Sequence, residues 1–156
     1  ESLKKNRKNT EIITECIWKE SGKQLDFFMS EVGEASTLKD FVDSDLASMP
    51  ENTKLRKKGG KTISVETISL NDIVKNNFNG ICPSYISIDT EGSEYEILKP
   101  FDLDKFRPKL FTIEHNHSKN ESKIDDLLIP KGYVRIFREL TAFDAWYIPA
   151  EILKVD

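Results

Sequence analysis

The spacing of apolar residues along the chain alternates between the period of a strand and the period of a helix. Runs rich in β-branched and aromatic residues predict strands in residues 12–18, 24–29, 61–68, 85–88, 109–115, 134–140 and 143–148. The first two are predicted to pair with each other, and the last two to form an antiparallel hairpin. Helical spacing predicts helices after Ser69, which is a plausible N-cap, after Ser93, and around Ile124. Strands that alternate with helices are typical of an α/β domain.

The segment at residues 85–94 organises this pattern, because an apolar strand ends there in three carboxylates and a glycine. Asp89 and Glu91 fall in the predicted turn between strand and helix. Ser93 and Glu96 have the spacing of a capping box, and Glu94 lies in the first helical turn, where a carboxylate complements the helix dipole. Ligands of open α/β sheets bind beyond the carboxyl ends of the strands, so this turn is a candidate site.

The next predicted strand also ends in polar side chains, namely Glu114, His115, Asn116 and His117. A helix lies between the two strands, so a right-handed crossover makes them parallel neighbours. The carboxyl ends of parallel neighbours meet at one edge of the sheet. We therefore expect Asp89 to lie close to the group from Glu114 to Asn116.

Three motifs together resemble the FkbM-type S-adenosylmethionine-dependent methyltransferases. They are Thr-Ile-Ser-Leu-Asn-Asp at 67–72, Ser-Ile-Asp-Thr-Glu-Gly-Ser-Glu at 87–94 and Ile-Glu-His-Asn at 113–116. The resemblance implies a class I, Rossmann-like methyltransferase fold with a mostly parallel sheet flanked by helices. It also implies methyl transfer from S-adenosylmethionine, usually to the oxygen of a small-molecule or saccharide acceptor.

The resemblance covers nearly all of this chain, but it corresponds to only about the C-terminal two thirds of a family domain. The sequence contains no Gly-x-Gly element, so the family's first strand, its glycine-rich cofactor loop and the acid that holds the ribose are not found in it. Residues 1–156 are therefore expected to form a single, partial methyltransferase domain that by itself binds S-adenosylmethionine weakly or not at all. Residues 30–61, which have no sustained period, are expected to form a long variable loop or lid with a solvated basic run.

The resemblance also suggests roles for individual residues. Cys16, Ile17 or Trp18 is expected beside the adenine, and Asp89 where donor and acceptor meet. His115 is the candidate general base, because imidazole titrates near neutrality, and Asp89 and Glu114 complete the catalytic set, with His117 as a second histidine candidate. In the alternative arrangement Asp89, Glu114 and either His115 or Asn116 bind Mg²⁺ or Mn²⁺, which suit oxygen-rich ligand sets.

Composition narrows the class of protein further. With 156 residues and a formal net charge of −4, the chain fits one domain and is not a general nucleic-acid binder. Its two cysteines fit reduced, packed thiols, and no apolar run has the length of a membrane span, so we expect a cytoplasmic protein. Two other functions stay open: a non-catalytic remnant or interaction module of the same fold, and a metal-dependent hydrolase that uses Asp89 and Glu114.

Overall fold

The computed structural model describes residues 5–44 and 47–153, whose strands form two four-stranded sheets. The first sheet contains β1 (Cys16–Trp18), β2 (Gln24–Ser30), β3 (Thr37–Leu38) and β4 (Gly60–Ser69) in the order β1-β4-β2-β3. Strand β1 pairs with β4 in parallel, whereas β2 is antiparallel to both β4 and β3.

The predicted pairing of the first two strands is wrong, because β4 lies between them. The turn that joins β1 to β2 is held over the end of β4 by Thr67. The Thr67 hydroxyl donates to the carbonyl of Glu20 at 2.7 Å, and the N–H of Gly22 donates to the carbonyl of Thr67 at 2.8 Å. The chain thus crosses β4 and places β1 and β2 on its opposite edges.

The second sheet contains β5 (Tyr85–Ile88), β6 (Leu110–Glu114), β7 (Tyr133–Ile136) and β8 (Asp144–Pro149) in the order β5-β6-β8-β7. Strands β5 and β6 are parallel neighbours, which confirms the prediction for the strands that end at Asp89 and Glu114. Strand β8 is antiparallel to both β6 and β7. The fold is therefore mixed α/β with two sheets, and the expected single, mostly parallel sheet is not confirmed.

Four α-helices lie entirely within the described ranges: α1 (Pro50–Arg56), α2 (Leu70–Asn77), α3 (Glu94–Leu98) and α4 (Asn120–Leu128). Ser69 caps α2 as predicted, since its Oγ accepts a hydrogen bond from the N–H of Asp72 at 3.1 Å. The predicted capping box at α3 is wrong. The Ser93 hydroxyl donates instead to Oγ1 of Thr90 at 2.9 Å and makes no cap to the helix.

The hydrophobic core lies between the second sheet and the helices. Ile86 and Ile88 of β5 are buried while Tyr85 and Ser87 are exposed, as the period of a strand requires. The core also includes Val74, Ile97, Leu98, Phe111, Ile113, Ile124, Leu128 and Tyr147. Full burial of such a side chain stabilises the fold by about 1.5–3 kcal/mol. This packing therefore holds β5 and β6, and with them the residues at their carboxyl ends, in place.

Residues 30–61 contain short regular elements, namely β3, α1 and the 3₁₀ turns Gly33–Ala35 and Lys39–Phe41. Whether this segment acts as a lid stays a prediction. Its basic run is not uniformly solvated: Lys54, Lys57 and Lys58 are exposed, but Arg56 is 2% exposed. None of the helices in the described part of the chain has the length and apolar character that a membrane span needs.

Candidate active site

Three carboxylates converge at the carboxyl ends of β5 and β6. Ile88 is paired with Ile113 in the parallel register, so the following residues, Asp89 and Glu114, lie side by side. Glu91 joins them from the turn after β5, and one carboxylate oxygen from each residue lies within 4.8 Å of the other two. We call Asp89, Glu91 and Glu114 the carboxylate cluster. The two acids that the sequence predicted are thus brought together, and a third joins them.

Glu114 has a strongly raised pKa. Burial raises its pKa most, the nearby charges of Asp89, Glu91 and Glu94 raise it further, and together they bring the pKa to about 8. A hydrogen bond from the Asn116 side chain lowers it in part. The Oε2 atom of Glu114 is buried without a hydrogen-bond partner among the described residues. A pKa of about 8 suits a general acid or base that works close to neutral pH.

Glu91 is held in the cluster by a buried arginine. The Arg56 Nη2 donates to Oε2 of Glu91 at 2.9 Å, and the Asn52 amide donates to the same oxygen at 3.2 Å. The Arg56 side chain is 0% exposed and that of Glu91 17%, so this ion pair is shielded from solvent. Glu91 also has φ +59°, a left-handed conformation that is rare for a residue with a side chain. The surrounding contacts thus over-determine the position of this carboxylate.

Sequence reasoning missed Arg56, because it treated the basic run as one solvated surface. The available signal was its residue type. Arg56 is an arginine within a run of lysines, and the guanidinium is the cation best suited to buried ion pairs. It also follows Thr53 by three positions, on the buried face of α1.

Glu94 shapes the turn that carries Asp89 and Glu91. It is 1% exposed, and its Oε1 accepts hydrogen bonds from the N–H and hydroxyl of Thr90, both at 3.0 Å, and from the N–H of Gly92 at 2.9 Å. Burial raises the pKa of Glu94, and these hydrogen bonds oppose that effect. The interpretation of Glu94 as a cap is consistent with these contacts, because its carboxylate accepts hydrogen bonds from backbone N–H groups just before α3.

His115 lies outside the carboxylate cluster. The residue is 2% exposed, and its ring packs beside Glu121 and Arg135. The N–H of His117 points at Nδ1 from 3.0 Å, and the Arg135 guanidinium faces Nε2 at 3.2 Å. Burial lowers the pKa of His115, so the neutral ring is favoured, and a protonated ring would oppose a donor at each nitrogen. The general-base role of His115 stays a prediction, and both of its nitrogens already face protein donors.

A cavity of about 590 Å³, a size typical of ligand sites, opens at Gly92 in the turn after β5. One wall comes from residues 30–61 and the other from the loop before α4. A much smaller cavity, with Glu94 and Glu114 in its lining, adjoins the large one, because both are lined by Ser44, Gly92 and Ser118. The large cavity is lined by Phe41, Asp43, Ser44, Ala47, Ser48, Gly92, His117, Ser118, Lys119 and Asn120.

The remaining predicted site residues divide between the two sheets. Asn116 hydrogen-bonds to Glu114 and so lies with the predicted metal ligands Asp89 and Glu114. Cys16 and Ile17 belong to β1 in the first sheet, where Ile17 packs against the hydrophobic core. Their neighbour Trp18 approaches the cavity more directly. Its ring meets that of Phe41, a cavity residue, edge to face at a centroid distance of 5.8 Å.

The fold places this protein in the general class of mixed α/β domains that carry acidic groups at the ends of adjacent parallel strands. Comparison with family models gives a more specific answer: residues 3–145 match the methyltransferase FkbM domain. The chain therefore belongs to the FkbM methyltransferase domain family, which places it among methyltransferases in general. Neither a curated protein nor a solved structure matches the chain.

Proposed function

We propose that the protein transfers a methyl group from S-adenosylmethionine to a hydroxyl oxygen of a small molecule or saccharide, and that the carboxylate cluster is the reaction site. The observation that carries this proposal is the convergence of Asp89, Glu91 and Glu114 at the ends of β5 and β6. The methyl donor is a sulfonium cation, and a group of carboxylates provides a favourable potential for a cation. Membership of the family supplies the reaction class.

The reaction needs an acceptor for one proton, and Glu114 suits that task. The acceptor oxygen attacks the methyl carbon, the carbon–sulfur bond breaks, and its electron pair stays on sulfur. The proton of the hydroxyl passes to the ionised Glu114 carboxylate, whose pKa of about 8 makes it a much stronger base than an ordinary carboxylate. Asp89, the exposed member of the cluster, would present a negative charge to the donor, whereas the charge of Glu91 is balanced by Arg56.

A divalent cation is the alternative way to activate the acceptor. Oxygen ligands from Asp89, Glu91 and Glu114, with the amide of Asn116 nearby, suit Mg²⁺ or Mn²⁺, and the unpartnered Oε2 of Glu114 is a suitable ligand atom. A bound cation would lower the pKa of the acceptor hydroxyl. Assays with EDTA, and with magnesium or manganese added back, separate this mechanism from base catalysis by Glu114 alone.

The proposal is tested with the protein at its full natural length. Calorimetry measures S-adenosylmethionine binding, and formation of S-adenosylhomocysteine is followed across a panel of hydroxylated small molecules and saccharides. We expect donor binding, turnover of at least one acceptor, and loss of turnover in Asp89→Asn. Asp102→Asn, which alters an exposed carboxylate after α3, is the matched control and should keep full activity. A folded protein that does not bind the donor would instead support a non-catalytic remnant or interaction module.

A further inference from the structure

The guanidinium of Arg56 joins parts of the chain that are far apart in sequence. Its Nε donates to the carbonyl of Ala35 at 3.0 Å and its Nη1 to the carbonyl of Val42 at 3.0 Å. Its Nη2 donates to Glu91 in the turn after β5. A planar guanidinium has donors in fixed, divergent directions, so a single side chain fixes all three positions relative to one another.

Contacts beside Arg56 seat residues 37–44 on the same turn. The Thr37 hydroxyl donates to the carbonyl of Glu91 at 3.0 Å. Ser44 lies so close to Gly92 that a Cβ on this glycine would collide with the serine side chain. Gly92 has φ +116°, which favours glycine in any case. The segment and the turn are thus fitted together without space for another atom.

These contacts relate the cavity to the carboxylate cluster. Phe41 and Ser44 line the cavity, and Val42 between them is held by Arg56. Glu91, which belongs to the cluster, is held by the same guanidinium. Movement of Arg56 would therefore displace a wall of the cavity and a carboxylate of the reaction site together.

We propose that Arg56 is a positioning residue that sets the cavity wall at residues 41–44 and the Glu91 carboxylate in register with each other. The inference rests on the proposed methyl transfer and adds to it a residue that lies outside the carboxylate cluster and acts through Glu91. Lysine is not an adequate substitute, because an ammonium group on a flexible stem lacks the divergent fork that reaches Ala35, Val42 and Glu91.

Turnover of paired variants tests whether Arg56 acts through Glu91. Arg56→Met, Glu91→Gln and the double variant are compared in the full-length protein, with Lys54→Met on the exposed face of α1 as control. We expect each single variant to lower kcat/KM by about a hundredfold, the usual effect of misplacing a reacting group. The double variant should be no more than about threefold worse than the worse single variant, because the two changes remove one shared function. Multiplication of the two losses would overturn the inference.

Hydrogen exchange provides a second test that does not depend on turnover. It also avoids Arg56→Met, a change that leaves the buried carboxylate of Glu91 without its cation. In Arg56→Lys, amides at residues 41–44 and 90–92 should exchange faster together, while those of β6 keep their protection. Unchanged exchange in both segments would overturn the inference. If the wild-type protein forms no S-adenosylhomocysteine, the proposed function fails, and the exchange result still decides whether Arg56 couples the two segments.

Discussion

Replacing Glu114 with glutamine should stabilise the protein at alkaline pH. The ionised carboxylate is unfavourable in the native state, because burial and the cluster charges raise its pKa from 4.5 to about 8. With about 1.4 kcal/mol for each tenfold change in an equilibrium, this shift corresponds to at most about 5 kcal/mol. Glu114 is only half-buried, so we discount this for solvent screening and expect about 2 kcal/mol.

The sign of the effect follows from proton linkage. The native state binds the Glu114 proton more tightly than the unfolded chain does, so this stabilisation is complete below about pH 4.5 and is lost as the pH rises through 8. Glutamine has nearly the same shape and carries no charge. The wild-type protein and Glu114→Gln should therefore have similar free energies of unfolding at pH 5, and the variant should be the more stable at pH 9.

Urea denaturation of both proteins at pH 5 and pH 9 measures this difference, and thermal melting should show a rise in Tm of about 4–8 °C at the higher pH. Glu139→Gln, which changes an exposed carboxylate, is the control and should show no such dependence on pH. A variant that is less stable than the wild type at pH 9, or a difference independent of pH, would refute the assignment of a strained, titratable carboxylate to this position.

Two further perturbations test the surroundings of the site. Gly92→Ala should lower the free energy of unfolding by about 2 kcal/mol, because the added Cβ meets the Ser44 side chain and the backbone has φ +116°. Adding Ser44→Gly to this variant should recover part of the loss, as measured by urea titration. Burial lowers the pKa of His115 below 6.5, so stability from the neutral ring is present above pH 6.5 and lost as the pH falls below it. The His115→Gln protein should therefore lose less stability between pH 7 and pH 5, and an identical loss in both proteins would contradict this reasoning.

The sequence contained enough information to predict the arrangement of the strand ends. Apolar periodicity identified β5 and β6, and the handedness of strand–helix–strand crossovers placed Asp89 beside Glu114. Local chemistry likewise identified Ser69 as the cap of α2. These predictions depend on short-range patterns or on a strong topological rule, which is why one sequence suffices.

Long-range contacts explain what the sequence left open. Nothing local in β1 or β2 indicates that both pair with β4, because the decisive hydrogen bonds come from Thr67, far along the chain. The burial of Arg56 depends in the same way on carbonyls and a carboxylate supplied by other segments. The surroundings of His115 include Arg135 from β7, which faces its Nε2. The sequence showed only that a histidine follows β6, which suggested a general base, and did not show that packing encloses its ring.

The most direct measurement of the central claim is the pH dependence of methyl transfer by the full-length protein, followed with methyl-tritiated S-adenosylmethionine. If Glu114 takes the proton of the acceptor, kcat/KM of the wild-type protein should rise through about pH 8 and then level off. Glu114→Gln should lose at least a hundredfold in kcat/KM and the rise near pH 8, while Glu139→Gln keeps both. Full activity of Glu114→Gln with an unchanged pH profile would contradict the claim that the carboxylate cluster is the reaction site.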